Sequence, residues 1–103
     1  MRLKDKVAIV TGSAQGIGEA TVRRFASEGA KVVVSDIQGD KAAAVASSIV
    51  AEGGEAIAVT TDVGVRDQVQ ALVEATQERY KRLDVLVNNA GVGLVKPVDE
   101  VGT

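Results

Sequence analysis

The chain has 103 residues, a formal net charge of −2, no cysteine and no histidine. That length suits one small domain, and the missing residue types exclude disulfides, thiolate and imidazole metal sites, cysteine nucleophiles and Ser-His-Asp chemistry. A near-balanced charge without basic runs leaves no footprint for nucleic acid.

With 46% hydrophobic residues but only one Phe, one Tyr and no Trp, the core must be built from Val, Ile, Leu and Ala. This is the make-up of an α/β fold whose sheet is covered by helices. The opening Met1-Arg2-Leu3-Lys4-Asp5-Lys6 is too polar for a signal peptide, and no apolar run approaches membrane-spanning length. The expected location is cytoplasmic, with no membrane partner.

Lys6 to Val10 reads as a first, buried strand. The stretch Thr11 to Gly18, TGSAQGIG, follows, and then a helix from about Ile17 to Glu28. Ile17, Thr21 and Phe25 recur every fourth residue and predict a narrow apolar stripe, with Gly29 ending the helix. Lys31 to Asp36 is a second strand. Its three adjacent valines predict cover on both faces. Lys41 to Glu52 is a second helix with Ala42, Val45, Ala46 and Ile49 inward, ended by Gly53-Gly54. Glu55 to Thr60 is the third strand. Val65 to Arg82 is the third helix, with Val69, Leu72, Val73, Thr76 and Tyr80 on one stripe. Val85-Leu86-Val87 is the fourth strand, closed by Asn88-Asn89-Ala90-Gly91. The alternation βαβαβαβ implies parallel strands joined by helical crossovers, about half of a doubly wound nucleotide-binding domain. Residues 1–91 form that unit and 92–103 an aperiodic tail containing the one proline, Pro97.

Gly12, Gly16 and Gly18 sit where a strand becomes a helix. There the backbone can turn sharply and approach a diphosphate, with helix N–H groups and the positive dipole end facing the anion. Asp36 falls 18 residues after Gly18, close to the spacing of an acid that accepts adenosine ribose hydroxyls. Such an acid would repel a 2′-phosphate, which favours NAD over NADP. The alternative for Asp36 is a solvated turn acid. Asp62 ends the third strand at the same edge, either accepting from the adenine amino group or starting the third helix as an ordinary acid. Asn88 and Asn89 either tie strand ends together or reach the cofactor.

Taken together, Thr11-Gly12-x-x-x-Gly16-x-Gly18, Asp36, Asp62-Val63 and Asn88-Asn89-Ala90-Gly91 resemble the N-terminal half of the short-chain dehydrogenase/reductase family. The likeness extends to its branch with 3-oxoacyl-carrier-protein reductases. It implies a half-Rossmann three-layer sheet of strand order 3-2-1-4 and NAD as cofactor. The implied contact set is Gly12, Ser13, Gln15, Gly16, Ile17, Gly18, Asp36, Ile37, Asp62, Val63, Asn88, Asn89, Ala90 and Gly91. The family's catalytic Ser and Tyr-x-x-x-Lys have no counterpart, since the one tyrosine, Tyr80, is followed four residues on by Asp84. Tyr80 lies on an apolar stripe and reads as packing. The expectation is therefore a truncated NAD-binding half, catalytically incompetent alone. The alternative is a nucleotide-binding or self-assembling fragment without enzymatic role. In that sheet order the fourth strand is left as an edge. An open edge invites pairing with a second copy or with a complementary C-terminal half.

Overall fold

The structure is a computed structural model and describes residues 2–89. The elements run β1 (Val7–Thr11), α1 (Gly16–Ser27), β2 (Lys31–Asp36), α2 (Gly39–Ala51), β3 (Glu55–Thr60), α3 (Arg66–Tyr80) and β4 (Val85–Asn88). The strands form one sheet of order β3-β2-β1-β4, and every neighbouring pair is parallel. This is the α/β half-Rossmann arrangement that the alternation predicts. The tail from 90 onward, including Ala90, Gly91 and Pro97, lies outside the described residues.

The valine runs follow from burial on both faces. Side chains alternate along a strand, so Val10, Val32 and Val34 pack under α1 and α2 with Val22, Val45 and Ile49. Val7, Ile9 and Val33 point the other way and pack under α3 with Leu72 and Tyr80. A strand covered on both sides has no polar positions to spare, which is why periodicity of two is absent from the sequence. Ala42, Val45, Ala46 and Ile49 are the buried residues of α2, as its spacing predicts, and Leu72, Thr76 and Tyr80 are those of α3.

The first helix differs from expectation. Ile17 is 78% exposed, and the buried residues of α1 are Gly18 and Val22. The helix starts at Gly16 and seats its first turn against the loop through a residue with no side chain. Val22 therefore carries the inward face in place of Ile17 and Thr21, while Phe25 and Ala26 pack partly buried against the same core. The first strand is likewise Val7–Thr11 instead of Lys6 to Val10. Thr11 remains in the sheet because it pairs with Ser35 on one side and Asn88 on the other.

Candidate functional site

Parallel strands put all their carboxyl ends at one edge of the sheet. Thr11, Asp36, Thr60 and Asn88 are those ends. Between the loops that leave them is an open groove of about 470 Å³. The glycine loop contributes Gly12, Gln15 and Gly16, the β2–α2 connection Asp36, Ile37 and Gln38, and the β3–α3 connection Thr61, Asp62 and Val63, with Asn89 at the far wall.

The glycine loop is shaped by close approach. A Cβ built on Gly18 would strike the Gly12 carbonyl oxygen and come within 2.7 Å of Asn89 Nδ2, so only glycine lets α1 sit against the β1 and β4 ends. Gly16 has φ +63° and open space where a Cβ would stand; there glycine is required by the backbone conformation. The side chain of Gln15, the residue capping α1, accepts no N–H from the first turn. Its Oε1 accepts from Lys41 Nζ at 3.4 Å instead. The first-turn N–H groups and the positive end of the helix are thus directed to the groove edge, where an anion is favoured.

Ser13 has a different place from the one its motif implies. It is fully buried. Its N–H donates to the Ser35 carbonyl at 3.0 Å, and its hydroxyl accepts the Ser35 N–H at 3.0 Å while donating to the Val10 carbonyl at 2.6 Å. The hydroxyl therefore continues the β1–β2 ladder past the end of β1 and does not line the groove.

Asp36 is only 7% exposed, yet it lines the groove. Its Oδ2 accepts the Ala14 N–H at 3.0 Å and its Oδ1 the Gln38 N–H at 2.9 Å. Asp62 Oδ1 accepts the Gly64 N–H at 2.9 Å, closing its own turn, and the Asp62 N–H donates to Gln68 Oε1 at 2.8 Å. The residue capping α3 is Val65, with no side-chain cap bond, so Asp62 is not a capping acid. Asn88 Oδ1 accepts from Thr11 Oγ1 at 3.1 Å, and Asn89 Nδ2 donates to the Gly12 carbonyl at 3.3 Å. Both asparagines tie β4 to the end of β1, and Asn89 also faces the groove.

Of the sequence-expected set, Gly12, Gln15, Gly16, Asp36, Ile37, Asp62, Val63 and Asn89 meet in the groove. Ser13, Ile17, Gly18 and Asn88 stand behind or beside it, and Ala90 and Gly91 fall outside the described residues. Gln38 and Thr61 line the groove without having been singled out; Gln38 stands two residues after Asp36 and Thr61 directly before Asp62, and that nearness to an acid at a strand end is the one signal that could have marked them.

Tyr80 stays away from this site. Its ring packs in the α3-side core, 6.0 Å from Lys31 Nζ at the opposite end of β2 from Asp36. Burial, reinforced by the Glu55 charge and opposed by Arg79, pushes its phenol above the ordinary value of 10.0. A general acid/base needs the opposite shift. Among the described residues no group of three or more acids could hold a metal ion, and no helix is long and apolar enough to cross a membrane.

A three-layer parallel sheet with a glycine-lined groove at its carboxyl edge defines half of a doubly wound nucleotide-binding fold. A family profile described as short chain dehydrogenase matches residues 6–103, and the chain belongs to that family, whose members bind nicotinamide dinucleotides. It is 45% identical over 98% of its length to an uncharacterized oxidoreductase, YxjF, of Bacillus subtilis (strain 168). Over 87% of its length it is 50% identical to a 3-oxoacyl-[acyl-carrier-protein] reductase of Synechocystis sp. (strain ATCC 27184 / PCC 6803 / Kazusa). It spans 39% and 37% of those two proteins. The fold superimposes on the crystal structure of hydroxysteroid dehydrogenase from Escherichia coli with TM-score 0.86 and 43% identity, over 95% of this chain and 42% of that one.

Proposed function

We propose that the groove binds NAD and that the chain is the cofactor-binding half of an oxidoreductase acting on alcohol and carbonyl groups. The observation that carries the reading is the Asp36 carboxylate, set in the groove wall at the end of β2 and bonded to the glycine loop. In this reading the glycine loop and the first turn of α1 hold the diphosphate. Asp36 accepts the adenosine ribose hydroxyls, and Asp62 with Val63 borders the adenine. The residues fit such a group: open space over Gly16 and uncapped helix N–H groups suit an anion, and a carboxylate suits a diol. Bound there, the nicotinamide would supply the hydride acceptor or donor.

Like charge at Asp36 disfavours a 2′-phosphate. Calorimetric titration of the chain with NAD and NADP is the test. Saturable binding of NAD, with NADP weaker by roughly tenfold or more, supports the reading. Equal binding of both removes the NAD preference, and no saturation at millimolar NAD removes the reading altogether.

The chain by itself is proposed to bind without transferring hydride, because it contains no Tyr-x-x-x-Lys and its one tyrosine is core. β4 is an edge strand among the described residues. Pairing of that edge with a second copy or a complementary chain is proposed, and light scattering across a concentration series checks it.

A further inference from the structure

Asp36 holds together the three loops that wall the groove. Its Oδ2 takes the Ala14 N–H from the glycine loop at 3.0 Å, and its Oδ1 takes the Gln38 N–H from the β2–α2 connection at 2.9 Å. Its backbone carbonyl takes the Thr61 N–H from the β3–α3 connection at 3.0 Å. Among the described residues no lysine or arginine forms an ion pair with it. The buried charge is met by backbone dipoles, which it orders in return.

We infer that Asp36 is a positioning residue for the diphosphate loop, in addition to any contact it makes with a ribose. The inference rests on the dinucleotide reading for its ligand, and on these three bonds for its geometry. Without the carboxylate, the buried Ala14 N–H loses its acceptor, and the loop between Gly12 and Gly16 keeps only the Ser13–Ser35 bonds as its tie to β2. Exchanging Asp36 to admit a 2′-phosphate would then loosen the diphosphate cradle in the same step.

Two measurements separate this role from a ribose contact alone. The first is amide hydrogen exchange of the ligand-free 103-residue chain and its Asp36→Ala variant, with Asp36→Asn as a second variant that keeps one acceptor oxygen. The Ala14 and Gln38 amides of Asp36→Ala are expected to exchange roughly tenfold faster or more, with Val33 in the sheet unchanged. In Asp36→Asn one of the two amides keeps its protection. The second measurement is the affinity for ADP and for 2′,3′-dideoxy-ADP, which has the diphosphate but no ribose hydroxyls. A positioning role weakens both ligands in Asp36→Ala. Unchanged exchange at Ala14, or a loss confined to ADP, overturns the inference. If the unaltered chain binds neither ADP nor NAD, the dinucleotide reading falls, and exchange at Ala14 still decides whether Asp36 sets the loop.

Discussion

Asp84 and Val7 are joined twice. The Asp84 N–H donates to the Val7 carbonyl at 2.9 Å, and Asp84 Oδ2 accepts the Val7 N–H at 2.9 Å. This reciprocal pair starts the β1–β4 seam, and Arg82 grips the same carboxylate with Nε and Nη2, both at 2.8 Å. The guanidinium bond and the Val7 N–H hold the Asp84 carboxyl below its ordinary value of 3.8. A carboxylate with a depressed folded value contributes stability above its unfolded value and loses it as pH falls through the folded one. The thermal midpoint is therefore expected to fall as pH is lowered below about 4. Asp84→Asn should flatten part of that fall. Identical pH profiles for the two proteins between about pH 5 and 2.5 would remove Asp84 from the acid response.

Gly18→Ala places a methyl group against the Gly12 carbonyl and the Asn89 amide, and the first of these is backbone that cannot step aside. Overpacking of this kind costs about 1–3 kcal/mol. The midpoint of urea unfolding should fall accordingly, and ADP binding should weaken because the loop must move. A Gly18→Ala protein as stable as the original would mean that α1 sits farther from the β4 end than described.

Leu72 is the fully buried leucine on the sheet-facing side of α3, the one described helix on that face of the sheet. Truncation to Ala should cost about 2–5 kcal/mol, the range for a core leucine. For a domain of this size that lowers the thermal midpoint by about 4–8 °C per kcal/mol. Val50→Ala on the exposed side of α2 is the control and should stay within about 0.5 kcal/mol.

Tyr80 is the chain's one tyrosine, so absorbance titration reads it alone. Burial raises its phenol first, and Glu55 adds to the effect. The folded chain should titrate above 10.0 and return to about 10 when unfolded in urea. Because the unfolded form then ionises first, stability declines as pH rises past 10. The hydroxyl has no hydrogen-bond partner among the described residues, so Tyr80→Phe should be neutral or stabilising by up to about 1 kcal/mol. A large loss of stability would show that the hydroxyl is bonded after all.

The sequence is most readable where hydrophobic pattern and burial coincide. The inward face of α2 is spelled out by Ala42, Val45, Ala46 and Ile49, because each buried position carries an apolar side chain. In α1 the pattern misleads. Gly18 is buried but adds nothing to an apolar stripe, while Ile17 is apolar and exposed. The groove shows the same division. Positions such as Asp36 and Asp62 are legible because the ends of parallel strands must share an edge. Partners are not: nothing in the order of residues says that Ser13 completes the ladder with Ser35, or that Asp36 takes the Ala14 and Gln38 amides. Those bonds depend on how the loops settle once the sheet exists.

The contact between Asn89 and the Gly12 carbonyl spans 77 residues of chain. Closing so long a loop is entropically costly and comes late in assembly relative to local helix formation. The β1–α1–β2 unit can collapse early with its glycine loop tied to β2 by Ser13 and Asp36, while the Asn89 bond to Gly12 arrives only when β4 docks beside β1. A chain arrested before the last strand joins would hold most of its helices and lack only the Asn89 side of its groove.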